Sequence, residues 1–155
     1  RRWIGNYGAV SAWMRKIDLA RRLEESEDGL VRMSGFLPEH VAWAALRSLE
    51  VLPQERWNIT SATENAAANN IDHRFASMRF GERTVSSILR VVSEVLPGEL
   101  NSFSAGVYRR GDHIARHDDR QYTEVKMEDG SVQRCSRSVA LIWYLTPGWR
   151  SEWGG

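Results

Sequence analysis

From Tyr108 to Asp119 the chain reads Tyr-Arg-Arg-Gly-Asp-His-Ile-Ala-Arg-His-Asp-Asp, a stretch that ends in a His-x-Asp pair, His117 and Asp119. In an extended strand, residues two apart point to the same side, so an imidazole and a carboxylate at this spacing can reach one ion. They are two of the three donors in the facial arrangement of two histidines and one carboxylate that holds iron(II) with positions open for substrate and oxygen. Asp118 offers a competing carboxylate, but it points to the opposite face of such a strand. His113 and His117 have the spacing of a zinc pair on a helix. Gly111-Asp112 ahead of them favours a strand instead, where four residues span about 13 Å and cannot share an ion. A bare His-x-Asp pair occurs often by chance, so its neighbours decide what it means.

Those neighbours form an ordered series. Downstream lies Ser136-Arg137-Ser138-Val139-Ala140-Leu141-Ile142-Trp143-Tyr144-Leu145-Thr146-Pro147-Gly148-Trp149, followed by Gly154-Gly155. Together with Tyr108-x-x-Gly111-Asp112 and His117-x-Asp119, this series resembles the prolyl 4-hydroxylase-like branch of the iron(II)/2-oxoglutarate dioxygenases. That branch runs from a Tyr-x-x-Gly-Asp stretch through His-x-Asp and a spacer to an Arg, a Tyr-Leu-Asn-like strand, a Trp and a Gly-Gly. The resemblance covers Phe103 to Gly155, about a third of the chain. More loosely, Gly35-Phe36-Leu37-Pro38-Glu39 ahead of a helix is similar to the stretch leading into the family's domain.

The resemblance implies roles for particular residues. His117 and Asp119 match the first two iron ligands. Tyr108 and Tyr144 match tyrosines lining the cosubstrate pocket, and Ile142, on Tyr144's side, matches an apolar wall of it. Arg137 matches an arginine near the substrate entrance. The segment 122–135 corresponds to a mobile loop that closes over substrate, although a plain surface hairpin explains it equally well. Trp143 reads more simply as a core aromatic. The implied cofactors are Fe(II) and 2-oxoglutarate, with ascorbate as reductant. The implied reaction is hydroxylation of a peptide or protein substrate, with a prolyl side chain as the expected target.

In the family, a second metal histidine and a basic residue for the distal carboxylate of 2-oxoglutarate lie well beyond the Gly-Gly pair. No histidine follows His117 here. We therefore expect the 155 residues to be incomplete as a catalyst. They would belong to a longer, active dioxygenase, or else serve as a non-catalytic, dioxygenase-derived accessory subunit of a larger protein assembly.

The elements that must position these residues are legible as periodicity. Leu37, Val41, Ala45 and Leu49 share a helical face, with Pro38 suited to a first turn, so 38–50 is a predicted helix. Val85, Ile88, Leu89, Val92 and Leu96 define another, stopped by Pro97-Gly98. Residues 10–25 suggest a third. His40 and His73 fall in this mainly helical part, 1–100, and read as surface or structural residues. Arg74 to Phe80 alternates like a strand, and Thr60 to Asn70 is polar and loop-like. From residue 101 the pattern changes. Phe103, Ala105 and Val107 alternate with Ser104, Gly106 and Tyr108, and Glu124 to Cys135 reads as a hairpin turning at Asp129-Gly130. Val139 to Leu145 is a continuous apolar run, expected to be a strand covered on both faces. The expected fold is α+β, one domain in which N-terminal helices pack on an incomplete double-stranded β-helix, or jelly roll, whose first strands occupy 101–155.

Composition narrows the remaining possibilities. A net charge of +1 gives no reason to expect a nucleic-acid partner. No apolar run approaches the roughly 20 residues of a membrane-spanning helix. The single cysteine, Cys135, excludes an internal disulfide and points to a reducing, intracellular setting, organelles included. Three of the seven tryptophans, Trp143, Trp149 and Trp153, crowd the last thirteen residues.

Overall fold

The computed structural model of the chain describes residues 3–59, 71–77, 83–96, 103–115, 122–127 and 129–153. It is α+β, with helices and small antiparallel sheets. Helix α1 (Tyr7–Ile17) begins where the Asn6 side chain accepts the Ala9 amide at 3.1 Å, satisfying a donor that the first turn leaves over. It ends at Asp18, which sits in the left-handed region with φ 40° and ψ 54°. Helix α2 (Leu19–Glu24) starts directly after it. The predicted helix over 10–25 is thus broken in two. The break turns Leu19 into the core, and the Arg22 guanidinium donates to the Ile17 carbonyl that the break would otherwise strand.

Helix α3 (Glu39–Glu50) starts one residue after Pro38, whose carbonyl accepts from Val41 and Ala42. The helical faces expected from sequence are the buried ones. Leu37, Val41 and Ala45 on one side, and Val85, Ile88 and Val92 of α4 (Arg83–Ser93) on the other, form the core with Trp3, Trp13, Ile17, Leu19 and Ala76. Helices α3 and α4 pack against each other. Pro97-Gly98, the expected stop of α4, and the expected loop 60–70 lie outside the described residues. Of the expected strand Arg74 to Phe80, 74–77 is described and is a strand.

The strands are short: β1 (Asn58–Ile59), β2 (Ile71–Asp72), β3 (Arg74–Ser77), β4 (Ser104–Val107), β5 (His113–Ile114), β6 (Tyr122–Lys126) and β7 (Val132–Ser136). They form three antiparallel groups in the order β1-β3-β4, β2-β5 and β6-β7. The last is the hairpin foreseen at Asp129-Gly130. Gly130 takes φ 86°, Asp129 accepts from both the amide and the hydroxyl of Ser131, and Met127 donates to the Ser131 carbonyl at 2.8 Å.

Residues 139–145 correct an expectation. Among the described residues this run joins no ladder and is covered on one side only. Leu141, Trp143 and Leu145 pack against the helical core, whereas Ile142 and Tyr144 on the other side are 72% and 73% exposed. A continuous apolar run fits a doubly covered strand, but it fits equally a chain whose inner side lies on helices.

One side chain ties the N-terminal helix to the rest. The Trp13 indole N–H donates to the Phe36 carbonyl, and its ring meets Trp3 and Phe36 edge-on, each at 5.6 Å between centroids. Trp13→Phe deletes the donor and leaves the carbonyl unsatisfied, for an expected loss of about 1–3 kcal/mol in a urea unfolding curve. Trp153→Phe, at an exposed position, is expected to change stability by less than about 0.5 kcal/mol. Ile88→Ala, emptying a fully buried position, is expected to cost about 2–5 kcal/mol in the same measurement.

Candidate functional site

The site is organised by one stretch of backbone, 71–77, which pairs twice with a single downstream segment. Ile71 and Asp72 pair with Ile114 and His113, and Arg74 to Ser77 pair with Val107 to Ser104. Only His73 stands between the two ladders on one side, while five residues, 108–112, stand between them on the other. These five turn tightly. The Arg109 amide donates to the Asp112 carboxylate at 2.8 Å, the Asp112 amide donates back to the Arg109 carbonyl at 2.9 Å, and Gly111 takes φ 96°.

Extending the β3–β4 register by one pair sets His73 opposite Tyr108. Their rings stack 4.5 Å apart at 12°. The pair lies over Gly106, where a Cβ would stand in ordinary van der Waals contact, 3.4 Å from the Tyr108 ring and 3.8 Å from the His73 ring. Of the two sequence readings of His73, surface or structural, the stack fits the structural one. His40, by contrast, is exposed on α3. No local signal distinguishes His73, because its role follows from a register formed with residues more than thirty positions away.

Tyr108 is half exposed, yet its phenol is pushed above the usual phenol range. Partial burial is the main cause, followed by the Tyr144 phenol and then the Asp112 carboxylate, both of which disfavour a phenolate. The Tyr144 phenol thus bears electrostatically on Tyr108, the other tyrosine that the motifs assign to the same pocket. Ile142 and Tyr144 also open onto an apolar groove of about 400 Å³, whose far wall is Val31, Met33, Phe36 and Leu37. Arg137 is exposed directly after β7 and does not line that groove. On the hairpin itself, the Arg134 guanidinium lies 4.5 Å over the Tyr122 ring.

His117 and Asp119 lie outside the described residues. β5 ends at Ile114, three positions ahead of His117. Among the described residues no group of three or more His, Cys, Asp or Glu could hold a metal. Neither does any described helix have the length and apolarity to cross a membrane.

Ionisation of Tyr108 gives a direct check on this geometry. The folded state holds its proton more tightly than the unfolded chain does. Its contribution to stability is therefore fully present below the ordinary phenol value of about 10 and is lost as pH rises through the higher folded value. In a titration of phenolate absorbance, the component removed by Tyr108→Phe is expected above that ordinary value. A component at or below it would place the phenol in open solvent.

Comparisons with protein families, with curated proteins and with solved structures find no match for this chain.

Proposed function

We propose that this chain is part of an iron(II)/2-oxoglutarate-dependent dioxygenase of the prolyl hydroxylase type. Its helices would back the first strands of a jelly roll, and its substrate would be a peptidyl, prolyl side chain inside the cell. The observation that carries the proposal is the electrostatic influence of the Tyr144 phenol on Tyr108. The two tyrosines come from two separate motifs, each assigned by resemblance to the cosubstrate pocket. Supporting it are the strand β5 just ahead of His117-x-Asp119 and the hairpin between that pair and Arg137.

The donor chemistry fits the implied groups. An imidazole and a carboxylate suit iron(II), and His117 and Asp119 would hold it. A phenol that keeps its proton across the physiological range is a hydrogen-bond donor to a carboxylate, which is the part assigned to Tyr108 and Tyr144 for 2-oxoglutarate. Ile142 would exclude water beside them, and Arg137 would meet the substrate's approach. Iron and 2-oxoglutarate, when bound, supply the oxidising chemistry, with ascorbate keeping the metal reduced. The chain's own contribution is orientation and shielding.

A second proposal, a non-catalytic accessory subunit, is favoured by the exposed apolar side chains gathered near residue 150. Ile142, Tyr144, Trp149 and Trp153 are all more than half exposed and suit contact with another protein surface.

Residues 1–155 carry two of the family's three metal ligands, and two ligands hold a labile divalent ion poorly against water. The expected result is weak iron(II) binding that His117→Ala weakens further, with no succinate released from 2-oxoglutarate in the presence of iron, ascorbate and a proline-rich peptide. A longer chain supplying a further His and Arg is expected to release succinate, and His117→Ala or Asp119→Ala is expected to abolish it. Inactivity of that longer chain, with iron binding indifferent to His117, would leave the accessory-subunit proposal standing.

A further inference from the structure

We infer that His73 is a positioning residue for Tyr108, a ring platform that orients the phenol toward its ligand without touching that ligand. The inference rests on the proposed 2-oxoglutarate site, but its geometric basis is independent of it. Three features converge on the pair. First, the register of β3 on β4 brings position 73 opposite position 108, so the backbone delivers the two rings to one another. Second, the rings are nearly parallel, at 12° and 4.5 Å. Third, the His73 Nδ1 is buried, which fixes the imidazole as the inner member of the stack, while Tyr108 is its half-exposed outer member.

This arrangement answers a problem specific to Tyr108. The residue opens a five-residue insert that belongs to neither ladder, so the backbone sets it opposite position 73 but leaves the tilt of its ring to side-chain contacts. The Asp112–Arg109 turn fixes the insert's far end, and the stack on His73 fixes its near end. A ring held flat on a partner loses its side-to-side freedom in advance of binding, and that cost is then not charged to the ligand. Partial burial bears most on the phenol's protonation, followed by Tyr144 and Asp112, so its titration reports its cover and its placement relative to those neighbours.

The test compares wild type, His73→Phe and His73→Ala by three measurements on the 155-residue chain and on any longer chain that binds 2-oxoglutarate. Ring-proton chemical shifts of Tyr108, assigned by their loss in Tyr108→Phe, should show ring-current displacement in wild type and in His73→Phe, which keeps a flat ring. They should lose it in His73→Ala. The Tyr108 phenol should titrate nearer its ordinary value in His73→Ala than in the other two. Affinity for 2-oxoglutarate should fall roughly 2- to 10-fold in His73→Ala and be rescued in His73→Phe, the scale expected of one aromatic contact. His73→Phe controls for folding, and the wild-type ring-current shift tests the stack even if His73→Ala does not fold. Absence of that shift in wild type, or unchanged phenol titration in a folded His73→Ala, overturns the inference. Normal shifts and titration with no 2-oxoglutarate binding by the longer wild-type chain would instead overturn the proposed function and leave the stack as a structural contact. Binding by that chain with equal affinity in His73→Ala overturns the positioning role.

Discussion

A single indole holds the apolar side of this molecule in register. Trp13 looks out from the middle of α1 and binds the Phe36 carbonyl, with Trp3 and Phe36 set edge-on against its ring. Aromatic pairs prefer this edge-to-face arrangement because the positive rim of one ring meets the negative face of the other. The hydrogen bond then fixes a segment, 31–37, that has no helix or ladder of its own. Everything laid against that segment inherits its position. Leu37 enters the core, Phe36 and Met33 wall the groove, and 141–144 close it from the other side. Tyr144 thus owes its place partly to a contact made by a helix near the other end of the chain.

The site combines two kinds of support. Tyr108 directly follows β4 and is held by its stack on His73, whereas Tyr144 is held by neighbours on a run without ladder partners among the described residues. Leu141, Trp143 and Leu145 supply that hold by packing on the helices, which frees the alternate side chains to face outward. Burial of one side of an extended run is enough to determine the direction of the other. Tyr108 thus follows the sheet at the end of β4, while Tyr144 lies on a run packed against the helices, and the Tyr144 phenol bears electrostatically on Tyr108.

Much of this was legible wherever one local rule governs a stretch. The helical periods of α3 and α4 named their buried faces, and Asp129-Gly130 named its hairpin, because 3.6-residue spacing and a positive φ are written in adjacent residues. The break at Asp18 was not legible. A non-glycine residue in the left-handed region is sustained by contacts made elsewhere, here the burial of Leu19 and the reach of Arg22 back to Ile17. For the same reason 139–145 was misjudged, since apolar spacing says that a face is covered and not by what. Of the candidate site, Tyr108, Ile142 and Tyr144 are named by motif order alone. His73 was missed because its meaning comes only from pairing across the sheet.

The insert opposite His73 has a further consequence for how this region tolerates change. Along an uninterrupted strand the side chains alternate, so gaining or losing one residue inverts the facing of every residue beyond it. Here the pairs Arg74↔Val107 and Asp72↔His113 are fixed separately, and the five residues between them are counted by neither ladder. The side toward which Ile114 turns is set by pairing with Ile71 and is blind to how many residues the turn contains. The loop acts as a parity buffer: a change in its length leaves the facing of β5 as it is.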